Sequence, residues 1–467
     1  MQLSDAIDAL AQLLGAERVT TGEDERRRHG SDESWHPPAP PDAVVRIRST
    51  EEAAEVVRIC ARHAVPIVPF GAGTSLEGHV AALRGGISVD TTEMDKVLRL
   101  SVADLDVTVQ AGVTRRALDD RLRPEGVFFS VDPGADATVG GMAATGASGT
   151  TSVRYGTMRE NVLALTVVTA TGDVVHTGSR ARKSSAGYDL TRLFIGSEGT
   201  LGLITEVTLR VHPTPEAMSA AVCAFPRIED AVDCTIAVLQ HSIPVARIEL
   251  LDERQMQAVN RHAGLAHPEA PTLFLEFHGG SEREVSEQAA EVAALAREHG
   301  GRDFEWAADE SERRRLWRAR HRAFDAARAL RPGTRGFPTD ACVPISNLAE
   351  CIAETRRDIE QSGLLAPIVG HVGDGNFHVA ILLDPDDEDE LARAVALNDR
   401  LVRRAIALDG TCTGEHGVGY GKAGFLELEH GPEGVALMRA IKAALDPQDL
   451  FNPGKITQAN LGSTSRL

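Results

Sequence analysis

Pro66-Ile67-Val68-Pro69-Phe70-Gly71-Ala72-Gly73-Thr74-Ser75-Leu76-Glu77-Gly78 reads as a short apolar strand running straight into a glycine-rich loop. Glycine bares the backbone, so amide N–H groups in such a loop can converge on a phosphate, and the hydroxyls of Thr74 and Ser75 add donors. The familiar nucleotide fingerprints fail. After Gly71 and Gly73 a Rossmann loop needs glycine where Leu76 stands. A Walker loop ending at Gly421-Lys422 would need glycine at His416 and a hydroxyl at Ala423, and one ending at Gly454-Lys455 meets Asp449 instead of glycine. Two readings stay open for the loop itself: an unusual dinucleotide or phosphate site, or tight turns.

Outward from this loop the first half alternates strands and helices. Strands are expected at 44–48, 87–91, 96–102, 107–111 and 203–211, with a hairpin over 161–177. Ser49 with Glu52 signals a capping box for a helix that must stop before Pro66, and Thr114 caps another. Further glycine clusters occupy 131–149, with Pro133, Gly134, Thr138, Gly140, Gly141, Gly146, Ser148 and Gly149, then Tyr155-Gly156, then Gly196-Ser197-Glu198-Gly199.

At His212-Pro213-Thr214-Pro215 the character changes. Strands at 245–251, 272–278, 366–371 and 377–383 alternate with helices at 228–240, 282–298, 309–329, 346–362 and 387–408, the order of an α+β domain with an antiparallel sheet. His371-Val-Gly-Asp374-Gly375-Asn376-Phe-His378 lies in it, and Gly414-Glu415-His416 follows. A two-residue turn centred on Asp374-Gly375 sets His371 directly opposite His378, with Cβ atoms about 5 Å apart. Two imidazoles so placed can close on a divalent ion, with a distant carboxylate completing an open site; the plain alternative is two histidines packed on a polar hairpin.

Bulk properties narrow the class. The 467 residues imply two or three domains, and the apolar fraction of 42% is enough for packed cores. A formal charge of −19 argues against nucleic acid and against an anionic membrane face, so an acid substrate must be caught by local cations. There is no run of 18 apolar residues, hence no expected transmembrane span. The six cysteines are scattered without CxxC spacing, as in a reducing compartment, and the N-terminus reads as an amphipathic helix on Leu3, Ile7, Leu10 and Leu14 rather than a secretory signal. A cytoplasmic location is expected, with peripheral attachment to an inner membrane as the variant.

The succession Pro69-Phe70-Gly71-Ala72-Gly73-Thr74, Thr138-Val-Gly140-Gly141, Arg154-Tyr155-Gly156 and Gly196-Ser197-Glu198-Gly199-Thr200-Leu201-Gly202-Leu203-Ile204-Thr205 resembles the flavin domain of the vanillyl-alcohol oxidase superfamily. The His371/His378 hairpin, Thr413-Gly-Glu415-His416-Gly-Val-Gly and the closing Phe451-Asn452-Pro453-Gly454-Lys455 resemble its D-lactate dehydrogenase and glycolate oxidase branch. The resemblance implies an N-terminal helical segment at 1–37, a FAD-binding domain at 38–215, an α+β substrate and metal-binding cap at 216–445, and a segment at 446–467 returning to the FAD site. It further implies non-covalent FAD held by Pro69, Gly71, Ala72, Gly73, Thr74, Ser75, Pro133, Gly134, Thr138, Gly140, Gly141, Gly146, Ser148, Gly149, Tyr155, Gly156, Glu198, Gly199, Ile204 and Asn452. A divalent ion, zinc or manganese with iron also fitting the donors, falls to His371, His378 and Glu415. His416 becomes the base and Arg320 the carboxylate clamp, with Arg318 and Arg322 as rivals.

What the resemblance implies for activity is oxidation of a D-2-hydroxy acid, D-lactate to pyruvate first, with electrons leaving to a cytochrome, quinone or flavoprotein. D-2-hydroxyglutarate or glycolate are alternative substrates, and a flavin subunit of a larger complex is an alternative setting. Relatives acting on 2-hydroxyglutarate carry lysine where this chain has Pro338, although Arg335 lies near. A metal-dependent hydrolase is a third reading that predicts a colourless protein. The oligomeric state is open, a homodimer included. His79, Glu249, His278, Trp317 and Cys412 are read as structural.

Overall fold

Strand Ile67–Phe70 lies in parallel beside Ile87–Asp90, which pairs in parallel with Ala43–Arg46, and Val19–Thr20 closes this sheet antiparallel. These coordinates are a computed structural model describing residues 2–321 and 323–457, with the side chains of Arg318, Ala319 and His321 outside the described residues. Two compact units are present. The first holds the residues up to Ser148, Gly156–Thr214 and those from Glu415 onward; the second holds Gly149–Tyr155 and Pro215–Gly414.

In the first unit the helix Thr50–His63 starts where expected, with Ser49 Oγ accepting from Glu52 N. The reciprocal half of the capping box is replaced: the Glu52 carboxylate takes the amide of Arg48 at 2.8 Å and the guanidinium of Arg18. A second, antiparallel sheet runs Val97–Ser101, Asp106–Gln110, Leu203–Arg210, Val162–Val168 and Val174–His176. Its inward residues Val107, Val109, Val207 and Leu209 form one core, and Val45, Ile67, Val89 and Phe451 form another. The N-terminal helix Gln2–Leu14 buries Ala6, Leu10 and Leu14 in that second core, so it is not the separate segment expected for 1–37. Residues 415–445, expected in the cap, likewise group with the first unit.

The second unit is built on one antiparallel sheet in the order Arg302–Ala307, Ala217–Ala224, Thr272–Gly279, Val245–Leu251, Ile368–His371, Asn376–Leu383, Arg335–Pro338, with Ala341–Cys342 also on Asn376–Leu383. Strand Ala217–Ala224 escaped the sequence reading because its alanines, serine and cysteine carry little apolar alternation. The helix expected over 309–329 is described as Glu310–His321 and Ala323–Ala329, with Arg322 outside the described residues. Among the described residues no helix is long and apolar enough to cross a membrane.

Candidate active site

Two adjacent strands set the metal-type side chains. Val245–Leu251 pairs with Ile368–His371 through Leu250 opposite Gly370, so one rung further Glu249 faces His371. After His371 the chain makes a 3-10 turn over Val372–Asp374 and then Gly375 at φ 76°. A Cβ at 375 would lie 2.1 Å from the Val343 carbonyl, which requires glycine there. The loop therefore spans four residues, not two, and His371 pairs with Asn376 while His378 pairs with Val369. This corrects the expected direct opposition of the two histidines. Because the shift is even, both remain on one face, with ring centroids 5.4 Å apart and planes at 82°.

Each imidazole is oriented through Nδ1. His378 Nδ1 donates to the Thr339 carbonyl at 3.0 Å, and His371 Nδ1 lies 2.7 Å from Glu249 Oε1. Burial pushes Glu249 up, but the charges of His371 and Arg320 outweigh it and hold the carboxyl below its ordinary range. An ionised Glu249 and the Thr339 carbonyl only accept, so each Nδ1 carries a proton and the Nε2 atoms are the ones left to act as ligands.

Glu415 directly follows Gly414, the last residue of the second unit. The loop reaching it is pinned by Thr411 N on the Cys342 carbonyl, 2.8 Å, and by Thr413 Oγ1 on Asp340 Oδ2, 2.7 Å. The other Asp340 oxygen accepts from Asn376 Nδ2 at 2.7 Å, so one buried carboxylate ties hairpin and loop together. The ligand atoms of His371, His378 and Glu415 all lie within 4.8 Å of one another. Ligands about 2.0–2.2 Å from a shared tetrahedral ion lie about 3.5 Å apart, so the side chains must rotate inward to close the site. Two neutral imidazoles and a carboxylate are a fitting donor set for a divalent ion.

Arg320 places Nε 2.7 Å and Nη2 2.6 Å from Glu249 Oε2. Of the rival arginines, the Arg318 side chain and Arg322 lie outside the described residues. A second relay occurs in the same unit. Tyr155 Oη is 2.8 Å from His278 Nδ1, and His278 Nε2 is 2.8 Å from Glu276 Oε1. Burial acts to raise Glu276, yet Arg247 and His278 carry it down to about 2, so His278 donates to Glu276 and accepts from the Tyr155 hydroxyl.

In the first unit the glycine clusters lie against one another. A Cβ on Gly71 would sit 2.3 Å from Thr138 Oγ1, and one on Gly199 2.8 Å from Pro69 Cγ. Thr138 caps the helix Val139–Thr145 by accepting from Gly141 N, and Gly146 at φ 67° ends it. The amides of Gly71, Ala72, Gly73 and Thr74 donate to no protein group among the described residues. Nothing lies within 4 Å of a Cβ built on Gly134 or Gly196. Free amides beside open glycine backbone fit a phosphate-bearing cofactor.

Other expected contacts are committed within the protein. Ser75 Oγ donates to Asp32 at 2.9 Å, Gly140 N to the Ala111 carbonyl at 2.8 Å, and the Ile204 side chain is buried in the core. The Glu198 carboxylate takes the amides of Val418 at 2.6 Å and Gly419 at 2.8 Å and lies 3.3 Å from His79 Nε2. Asn452 Nδ2 donates to the carbonyls of His79 and Glu198. Buried polar side chains are held by whatever donors surround them, and here those donors are backbone amides and an imidazole.

Residues 214–456 match the family described as FAD linked oxidases, C-terminal domain, and residues 41–178 match a FAD binding domain. The chain belongs to the FAD-linked oxidases, in the D-lactate dehydrogenase branch of the vanillyl-alcohol oxidase superfamily. It is 51% identical over 463 residues to a Danio rerio protein named probable D-lactate dehydrogenase, mitochondrial, with 98% of this chain and 93% of the relative covered. It is 48% identical to an Arabidopsis thaliana protein named D-lactate dehydrogenase (cytochrome), mitochondrial, over 97% and 80% of the two chains. The fold matches p-cresol methylhydroxylase at TM-score 0.81 and 19% identity, over 98% and 97% of the chains.

For this FAD-linked oxidase the hydrolase alternative falls away. The relatives' mitochondrial names also overturn the expected cytoplasmic location. Scattered cysteine spacing does not distinguish one compartment from another. Glu249 and His278, read as structural from the sequence, each bridge two buried partners: Glu249 holds His371 and Arg320, and His278 holds Tyr155 and Glu276. The available signal was a charged or imidazole side chain inside an apolar strand, which needs a partner to be buried.

Proposed function

We propose that this FAD-linked oxidase oxidises D-lactate to pyruvate, with a divalent ion on His371, His378 and Glu415, and hands the electrons to a cytochrome. The observation that carries the reading is the convergence of the three ligand atoms beside the Glu249–Arg320 pair. Sequence identity near one half with relatives named D-lactate dehydrogenase supports the substrate, and the word cytochrome in one of those names supports the acceptor.

Oxidation at C2 removes the hydroxyl proton and a hydride together, leaving a ketone. When bound, FAD supplies the hydride acceptor and the ion supplies a Lewis acid. Arg320 captures the substrate carboxylate with the guanidinium edge not engaged by Glu249. His416, next in the chain to Glu415, takes the hydroxyl proton on its imidazole, the side chain whose ordinary range suits proton transfer near neutral pH. Pro338, paired with Ala380 at the sheet edge, offers no cation to a second carboxylate, which favours a monocarboxylate over 2-hydroxyglutarate.

The test is anaerobic flavin bleaching by D-lactate with FAD-loaded protein, before and after metal removal confirmed by elemental analysis. Bleaching that disappears on chelation and returns with zinc or manganese is expected. Unchanged bleaching in metal-free protein refutes the ion's role, and no bleaching under any metal condition refutes the substrate.

A further inference from the structure

Glu249 has no exposed surface in the strand Val245–Leu251, and its two oxygens hold two different functional side chains. Oε1 meets His371 Nδ1 at 2.7 Å; Oε2 meets Arg320 Nε at 2.7 Å and Nη2 at 2.6 Å. We propose that Glu249 is a positioning residue that fixes the His371 tautomer for the metal ion and the Arg320 guanidinium for the substrate carboxylate. The inference rests on the metal-assisted reading above and goes beyond it, because it makes one buried carboxylate the common support of ion binding and substrate capture.

The chemistry allows little else. An ionised carboxylate donates nothing, so His371 must carry its proton on Nδ1, and its Nε2 lone pair is then the ligand atom. With Nε and Nη2 both on one oxygen, the Arg320 plane is set, and Nη1 has no partner among the described residues. Neither side chain can swing away without leaving a fully buried charge short of a partner. The backbone holds the arrangement as well. Glu249 sits on an interior strand, one rung from the Leu250–Gly370 pair that joins it to the strand of His371.

Glu249→Gln separates this role from packing. Glutamine keeps the shape but has a single acceptor oxygen. Its amide group either faces Arg320, donor against donor, or faces His371 and favours the tautomer with Nε2 protonated, which cannot ligate. Zinc affinity of metal-free, FAD-loaded protein, read by competition with a chromophoric chelator, should weaken about 10- to 100-fold with FAD content unchanged. At saturating metal the KM for D-lactate should rise by about 10-fold, with kcat changing less. Glu249→Asp keeps an acceptor-only group, and should keep more metal affinity than the glutamine variant.

Parental zinc affinity and KM in Glu249→Gln overturn the proposal. So does equal metal loss in the Asp and Gln variants, which a packing role alone would give. A His371→Ala control separates the two levels. If His371→Ala binds zinc as tightly as the parent, the metal reading itself has failed; if it loses zinc while Glu249→Gln keeps it, only the positioning role has.

Discussion

Replacing Gly414 by alanine probes how the loop that ends in Glu415 is seated on the metal hairpin. A Cβ there would lie 2.3 Å from Asn376 Nδ2, 2.9 Å from its Cγ and 3.1 Å from Cys342 Cβ. Asn376 cannot simply retreat. Its Nδ2 donates to the buried carboxylate of Asp340 at 2.7 Å and to the Ala341 carbonyl at 2.9 Å. Breaking the first loses about 1.5–3 kcal/mol and the second about 0.5–1.5 kcal/mol, so a retreat destabilises the second unit by about 2–4 kcal/mol. If Asn376 holds instead, the backbone at 414 must move out by ~1 Å to restore ordinary contact, carrying Glu415 with it. Metal–ligand distances tolerate only about 0.2 Å, so this route weakens the ion instead. Gly414→Ala should therefore lose either 2–4 kcal/mol, about as estimated from the two bonds, or roughly tenfold or more in zinc affinity. Urea unfolding followed by tryptophan fluorescence reads the first, since Trp306 and Trp317 lie in this unit, and chelator competition reads the second. A variant with parental stability and parental zinc affinity would refute the packing of this loop.

Two further outcomes follow from the site. His416→Gln should retain zinc and FAD but slow flavin reduction by D-lactate about 10²- to 10⁴-fold, whereas Arg320→Ala should act chiefly on substrate capture; stopped-flow bleaching against D-lactate concentration separates them, and a His416→Gln variant that bleaches at the parental rate removes it as the base. The buried Glu198–His79 pair predicts a pH dependence of stability. Burial works against both charges, yet their attraction and the Val418 and Gly419 amides hold Glu198 below its ordinary 4.5, and Glu198 holds His79 above its ordinary 6.5. A raised histidine stabilises fully below 6.5 and loses that contribution as pH rises through its folded value; a lowered glutamate stabilises above 4.5 and loses it as pH falls through its own. The Tm gap between the parent and His79→Gln should thus be widest near about pH 5.5 and shrink toward alkaline pH. A gap that does not change with pH would mean the pair is not charged in the folded state.

Local chemistry made much of the fold legible. Ser49 and Thr114 cap helices as read, because an N-cap needs only a side-chain oxygen and the amide three residues on. The helices Ile228–Gln240 and Glu282–Glu298 match their expected bounds, because apolar residues recur along each at helical spacing. The metal-type hairpin was legible in its residues and its shared face but not in its register. Register depended on whether Val372–Asp374 turned as a 3-10 segment, which the Val343 carbonyl packed beside Gly375 decides.

The chain's own order of residues determined the glycine loops, the His371/His378 pair and the Glu415-His416 dipeptide, because each depends on neighbours within a few positions. Tertiary structure alone decided which buried acid serves which group. Glu249 lies 122 residues from His371 and 71 from Arg320, and Asp340 is 73 from Thr413. The Glu198 carboxylate is held by amides 220 and 221 residues away. A buried carboxylate takes the donors that folding brings to it, and no local pattern in the sequence records which strands will be adjacent.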